Sequence, residues 1–341
     1  MTAVTTARPL TERPSPLTPR GTVWAALRLH RTPLRIWCAL VAVTAAGMLW
    51  AYVLGADAVR EWSHSVASCA TDVACVDTLT LDGPTYAPST VEFYDLVTGL
   101  ATSAVVYLPY LVAAWAGATL VARDLESGTS ALAWTQSVTP ARWLAAQLAV
   151  PAALITAGTT LLVLLHRLMW TGGRDILGED WYSADVFRAN GPVALGYALC
   201  ALAVGALAGL LVRRTLPALG LALAVTAAVG ILGDLYRVSL WPSLTVTGAA
   251  ASNLPADAAP LEHGVVLTSG ERIGNNLACV DNDTATDLTR CMSKNGISDL
   301  WATYHPSSHF WPLQLTESAI LVTVTALVVF LTFRVLKRRT A

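Results

Sequence analysis

Two histidines four positions apart have the spacing in this sequence that most resembles a metal site. They lie in the run His305-Pro-Ser-Ser-His309, and His263 is the only other histidine in the same stretch. Pro306 disfavours a regular helix that would present both imidazoles on one face, and a zinc site needs more than two protein ligands. We therefore expect no metal site in this chain.

The sequence also lacks two motifs that would indicate hydrolysis. It contains neither the Gly-x-x-x-x-Gly-Lys-Ser/Thr phosphate loop nor a Gly-x-Ser-x-Gly nucleophile turn. Residues 282–284 fit the acceptor pattern for N-glycosylation, a pattern that has no meaning if the source is bacterial. Without a phosphate loop, the chain cannot hydrolyse ATP by that route. We expect neither a catalytic nor a cofactor-binding residue in it.

Four of the six cysteines lie in acidic connecting segments, namely Cys69, Cys75, Cys279 and Cys291. Thiols on the oxidising side of a membrane tend to form disulfides. We favour the local pairs Cys69–Cys75 and Cys279–Cys291, although four cysteines allow three pairings. Cys38 and Cys200 lie inside apolar stretches instead.

The elements that must position these residues are six long apolar stretches. The chain is 54% hydrophobic and 13% charged, whereas a soluble domain has about a quarter charged residues. A helix needs roughly 20 apolar residues to cross a bilayer. The predicted spans are residues 36–56, 96–118, 143–167, 192–212, 216–236 and 317–336. The segments between and around them are residues 1–35, with an interfacial part before span one, 57–95, 119–142, 168–191, 237–316 and 337–341.

Charge is distributed unequally between alternate connections. One set, with both termini, carries 14 Lys/Arg and 3 Asp/Glu, and the other carries 8 Lys/Arg and 20 Asp/Glu. Because Lys/Arg excess marks the cytoplasmic side, both termini are predicted to be cytoplasmic. The fold prediction is an all-α polytopic membrane protein with six transmembrane helices and a disulfide-containing outer loop between helices five and six. No basic domain suggests a nucleic-acid partner, and membrane lipid is the expected surroundings.

Two further features of the spans carry predictions. Asp234, Glu317 and His166 fall near span ends, so the spans lack the deep ionisable residues of a proton-driven carrier. Gly205 and Gly209 form a small-xxx-small pattern that could let span four pack closely on another helix. The alternative is that small residues are simply common in such helices.

The connection between spans two and three contains residues typical of helix ends. We expect the helix of span two to extend past the membrane and to end at Gly128, a left-handed cap. Thr129 or Ser130 could then begin a short second helix. Thr139 and Pro140 predict the N-cap and first position of the next helix. Residues 119–142 are thus predicted to form a compact elbow, and an ordinary capped loop is the alternative.

Three segments resemble a known family. They are ARDLESGTSALAWTQSVTPARWLAAQL at residues 122–148, YHPSSHFWPLQLTESAI at residues 304–320 and, more weakly, RRTLPAL at residues 213–219. They resemble actinobacterial ATP-binding-cassette (ABC) transporter permeases of the type-2 exporter class. With the six-span plan, the resemblance covers most of the chain apart from residues 243–300.

The resemblance implies a permease subunit of an ABC exporter in the bacterial plasma membrane. Such permeases pair as homodimers or heterodimers on a separately encoded ABC ATPase, which binds the ATP and Mg. The elbow is similar to the coupling helix that docks on that ATPase. The positions that match the family's coupling segment are Glu126, Gly128, Thr129, Trp134, Gln136 and Arg142. The family often has Glu where this chain has Asp124 and a basic residue where it has Ser130. The resemblance implies that the matching positions, with Arg123 and Asp124, contact the ATPase.

Two other function classes remain open from sequence. One is a membrane-embedded enzyme that acts on a lipid-linked substrate near His305 and His309. The other is a membrane sensor or assembly protein without transport. The transported substrate is not specified by any residue pattern: drug, antibiotic, lipid and peptide all suit an apolar cavity.

Overall fold

The computed structural model describes residues 31–69, 89–128, 139–274 and 285–340. Six helices in this part are long and apolar enough to cross a membrane, which confirms the predicted number of spans. Their principal α-helical segments, called spans one to six below, are α1 Arg31–Trp50, α3 Ser89–Trp115, α5 Pro140–Gly172, α8 Val193–Val212, α9 Thr215–Tyr236 and α12 Phe310–Thr340.

Shorter helical segments extend or connect these spans. A π-helical turn, Ala51–Gly55, joins span one to α2, Ala56–Cys69, so the start of the segment predicted as an outer loop is helical. The other short helices are α4 Ala122–Glu126, α6 Arg174–Leu177, α7 Ala184–Ala189, α10 Ala249–Ser252 and α11 Ala285–Lys294. Span two continues through Pro109, and span three through Pro151.

Span four is the centre of the bundle. Its most apolar stretch is 72% buried, against 17% for those of spans one and six. It packs against spans two, three, five and six. A helix that is apolar on every side must be surrounded by other helices or by lipid, and here the surrounding helices cover most of it.

Small residues allow spans two and four to approach closely. A Cβ atom added to Gly205 would lie 2.7 Å from the Cβ of Ala116 and 2.8 Å from the backbone nitrogen of Gly117. One added to Gly209 would lie 3.0 Å from the backbone nitrogen of Ala122. Both glycines of the predicted pattern therefore lie at a close helix contact, which confirms the packing interpretation.

The region between spans five and six is not helical throughout, so the all-α prediction is wrong there. It contains a four-stranded antiparallel sheet with strand order β1-β4-β2-β3. The strands are β1 Leu244–Thr247, β2 Ala259–Leu267, β3 Arg272–Gly274 and β4 Ile297–His305. In the longest pairing, Val265 lies opposite Leu300, and Val265 and Ile297 form a small core with α11 beside them. The apolar residues are too few and too scattered for a span, but they suffice for one buried sheet face.

Neither predicted disulfide pair lies wholly among the side chains that the structure describes. Cys291 is disulfide-bonded, while the side chains of Cys69, Cys75 and Cys279 lie outside the described residues. Both local pairs therefore stay predictions. Cys38 and Cys200, inside spans one and four, are free thiols.

The bundle has two distinguishable ends, which we call the elbow end and the sheet end. At the elbow end lie α4, the start of span five and the end of span six, where Arg339 donates to the backbone oxygen of Leu210 at 2.5 Å. At the sheet end lie the start of span six, the end of span five and the β-strands.

Candidate functional site

The elbow begins where span two changes its helical geometry. A π-helical turn, Ala116–Leu120, follows the α-helix of span two, and α4 then runs only from Ala122 to Glu126. Gly128 has φ +73° and follows the C-cap residue Ser127, which is the left-handed cap that the sequence predicts. Only glycine adopts this backbone region without strain, so Gly128 sets the direction in which the chain leaves span two.

The far side of the elbow also has the predicted capping chemistry. Thr139 is the N-cap of span three, and its side-chain oxygen accepts a hydrogen bond from the backbone nitrogen of Arg142 at 3.4 Å. Pro140 occupies the first helical position. The side chains of Arg123 and Arg142 are both exposed. Thr129, Trp134 and Gln136, with the predicted second helix, lie outside the described residues.

Asp124 ties the end of span two to the start of span three. Its side chain is buried, and Oδ2 accepts a hydrogen bond from Nε2 of Gln147 at 3.1 Å. Gln147 is itself buried on span three. A buried carboxylate is stable only when its oxygens accept hydrogen bonds, so this contact fixes how the two helix ends sit together.

Glu126 ties the elbow to span five. Its Oε2 accepts hydrogen bonds from the backbone nitrogen of Thr215, at 2.9 Å, and from the Thr215 hydroxyl. Arg214, the N-cap residue of span five, provides no side-chain cap of its own. Glu126 therefore caps a helix 89 positions away, where a carboxylate also complements the helix dipole. The Thr215 hydroxyl and backbone bonds, with nearby Arg214, hold the pKa of Glu126 below its ordinary value.

A second polar cluster lies at the sheet end, where sequence reasoning had placed only terminal charges. Glu317 is buried; its Oε1 accepts from the hydroxyl of Tyr197 at 2.6 Å and its Oε2 from Nε of Arg237 at 3.0 Å. Arg237 also contacts Asp234 at 3.0 Å, and Asp234 pairs with Arg188 at 2.5 Å. The cluster joins α7 to spans four, five and six. Glu317 falls seven residues inside span six, because the helix begins earlier than predicted, at Phe310.

The two histidines considered as metal ligands bond to each other. Nδ1 of His305 lies 2.9 Å from Nδ1 of His309, and Nε2 of His305 lies 3.0 Å from the backbone oxygen of Val238. A proton on Nε2 of His305 satisfies the second contact, and a proton on Nδ1 of His309 satisfies the first. Within the described ranges no group of three or more His, Cys, Asp or Glu side chains could hold a metal ion.

Six apolar helices, with an elbow that clamps the ends of spans two, three and five, define a multi-pass membrane protein. A family model described as "ABC-2 membrane transporter related" matches residues 39–237, more than half of the chain. The chain belongs to that family. The match begins inside span one, covers spans two to five and the elbow, and ends before the sheet. No curated protein and no solved structure matches the chain.

Proposed function

We propose that this chain is the permease subunit of an ATP-driven ABC exporter and that the elbow couples it to a separately encoded ATPase. Membership of the ABC-2 family supports the permease assignment. The observation that carries the coupling is the contact of Glu126 with Thr215, alongside that of Asp124 with Gln147. A force on this one short segment would reach spans three and five through direct hydrogen bonds and span two through the backbone.

The proposed mechanism is a displacement of the elbow by the ATPase. The ATPase, which holds the ATP and Mg, would close on nucleotide binding and push on residues 121–142. Because Glu126 caps span five and Asp124 holds span three, the push would tilt spans two and five around a cavity shared with a second permease protomer. The coupling requires that the elbow bind the closed and open forms of the ATPase with different affinity.

We place the elbow and both termini in the cytoplasm and the sheet outside. The basic residues gathered at the elbow end, among them Arg213, Arg214 and Arg339, support this orientation in a bacterial plasma membrane. Single cysteines at Ser127 and Ser269 test it, because both positions are exposed. A membrane-impermeant maleimide should label S269C in intact spheroplasts and S127C only after permeabilisation. The reverse pattern would remove the elbow from the reach of a cytoplasmic ATPase.

The local pairs Cys69–Cys75 and Cys279–Cys291 are part of this proposal, since they need an oxidising outer side. Peptide mapping without reduction should recover both pairs. A crossed pairing between the two segments would contradict them.

The test of function is purification of the tagged chain from its native host in mild detergent. We expect an ATPase with a phosphate-loop motif to co-purify, and compounds that stimulate its hydrolysis identify export substrates. Glu126→Ala should leave the complex assembled and hydrolysing ATP while export falls. Glu92→Ala is the matched control, because Glu92 is an exposed glutamate near the other end of span two. Normal export by Glu126→Ala, or purification without any ATPase, would contradict the proposal.

A further inference from the structure

A polar cavity of about 340 Å³ lies between spans two and three at the sheet end, away from the elbow. Its floor is formed by His166, Thr98 and Thr102, and its other polar residues are Asp95 and Glu179. Pockets of about 300 Å³ and more accommodate small ligands. Thr98 and His166 are buried, whereas Asp95 and Glu179 are exposed. The cavity therefore has a closed polar floor and an acidic rim.

The floor offers no free side-chain hydrogen-bond donor. The hydroxyl of Thr98 donates to the backbone oxygen of Tyr94 at 3.0 Å, and that of Thr102 donates to the backbone oxygen of Thr98 at 2.9 Å. The Thr102 hydroxyl also lies 2.9 Å from Nε2 of His166, so these two acceptors take up its one proton. Both threonines line the cavity, and the lone pairs of their hydroxyl oxygens remain available as acceptors.

The second nitrogen of His166 is also occupied. Nδ1 lies 2.8 Å from Oδ1 of Asn190, to which the Nδ1–H of the imidazole donates. The neutral imidazole then accepts from the Thr102 hydroxyl at Nε2 and so makes both of its hydrogen bonds. His166 thus brings neither a free donor nor a positive charge to the floor.

The rim carries uncompensated negative charge. Neither Asp95 nor Glu179 forms a salt bridge within the part of the chain that the structure describes. Glu179 is exposed as a residue, yet partial desolvation raises the pKa of its carboxyl, and nearby Asp185 raises it further. Such a shift is expected for a carboxylate among like charges, and a bound cation would reverse it.

The other residues that line the cavity are apolar, and they leave space for a ligand. The indole nitrogen of Trp170 is used, since it donates to the backbone oxygen of Glu179 at 3.1 Å. Arg174 lies over the Trp170 ring, with Cζ 5.2 Å from the centroid, and does not line the cavity. A Cβ atom added to Gly99 would meet nothing within 4 Å. Acceptor oxygens, negative charge and absent donors together exclude anions and favour a ligand that donates hydrogen bonds and carries positive charge.

We propose that this cavity is a binding site for a small organic cation of the alkylammonium class. The ammonium group would donate to Asp95, Glu179 and the threonine oxygens, and the alkyl part would lie against Trp170 and Met169. The site is independent of the elbow and of the exporter assignment, because none of its residues belongs to the elbow.

The test is equilibrium binding of tritium-labelled 1,4-diaminobutane to the purified full-length chain in detergent. We expect saturable binding that unlabelled diamine displaces and that butanol and acetate do not. Asp95→Asn and Glu179→Gln should each weaken binding about tenfold or more, the effect of losing one charge-assisted hydrogen bond. Glu92→Gln, on the same helix but outside the cavity, should bind as the unmodified chain does.

A variant that keeps every charge tests the location. Gly99→Leu should abolish binding by filling the cavity, while Gly220→Leu, at another glycine with open space around it, should not. Thermal unfolding of each variant checks that it is folded. Absence of saturable binding in the millimolar range, binding unchanged by both carboxylate variants and Gly99→Leu, or displacement of the diamine by calcium but not by other amines would each overturn the proposal.

Discussion

Removal of the Glu317 carboxylate should strongly destabilise the sheet end of the bundle. Glu317 is 3% exposed and its partner Arg237 is 7% exposed, so water compensates neither charge. In Glu317→Ala, the guanidinium of Arg237 keeps its contact with Asp234 at 3.0 Å and its place over the Phe187 ring, but the Tyr197 hydroxyl loses its acceptor. Breaking a buried ion pair by removing one partner costs about 3–5 kcal/mol.

A double-mutant cycle separates this effect from lost packing. Arg237→Leu removes the other charge, and the double variant Glu317→Leu/Arg237→Leu leaves no unpaired ion between the two positions. Replacing both charges with apolar side chains is often nearly neutral, so the double variant should be more stable than Glu317→Leu alone. We expect a coupling energy of about 1–3 kcal/mol between the two positions.

The assay is equilibrium unfolding of the purified chain in mixed detergent micelles with increasing denaturing detergent. Asp57→Asn is the matched control, because Asp57 forms an ion pair with Arg60 but its side chain is 80% exposed. An exposed pair contributes about 0–1 kcal/mol. Additive single-variant losses at Glu317 and Arg237, or equal losses for Glu317→Ala and Asp57→Asn, would refute the reasoning.

Three further predictions concern the elbow and the helix contacts. Gly128→Ala should lower the free energy of unfolding by about 1 kcal/mol, because Gly128 has φ +73°. Gly220→Ala should not lower it, and thermal unfolding of the two variants in parallel compares them. Gly205→Val should lower the melting temperature severely, since its added Cβ meets the backbone of Gly117 at 2.8 Å. Thr215→Val should raise the pKa of Glu126 toward its ordinary value. Since the folded pKa is lowered, the contact stabilises the chain above the unfolded pKa and loses its effect as pH falls through the folded one. The difference in melting temperature between the unmodified chain and Thr215→Val should therefore shrink on acidification; a constant difference would contradict this role.

Features governed by neighbouring residues were predictable from the sequence. The six spans follow from length and hydrophobicity, because a bilayer imposes both. Gly128, Thr139 and Pro140 were predictable because each satisfies a local backbone requirement at a helix end. The contact at Gly205 was indicated only as a possibility, since a glycine pattern gives no partner.

Contacts between residues that are far apart in the sequence could not be predicted from the sequence alone. Glu126 and Thr215 are 89 positions apart, and Tyr197 and Glu317 are 120 positions apart. No periodic pattern links the residues of either pair. The sheet was missed because short half-buried strands carry a weaker pattern than a span.

The two proposals share their helices, which gives one combined prediction. Span two carries Asp95 and Thr98 at the sheet end and leads to Asp124 at the elbow, while span three carries His166 near one end and Gln147 near the other. A shift of span two against span three at the elbow would therefore change the walls of the cavity. If both proposals hold, 1,4-diaminobutane should alter ATP hydrolysis by the purified complex, and Glu179→Gln should remove that effect. Coupling between binding free energies is reciprocal. The factor by which the diamine changes nucleotide affinity should therefore equal the factor by which the bound nucleotide changes diamine affinity. Diamine binding that leaves hydrolysis and nucleotide affinity unchanged would separate the cavity from the elbow without excluding either site.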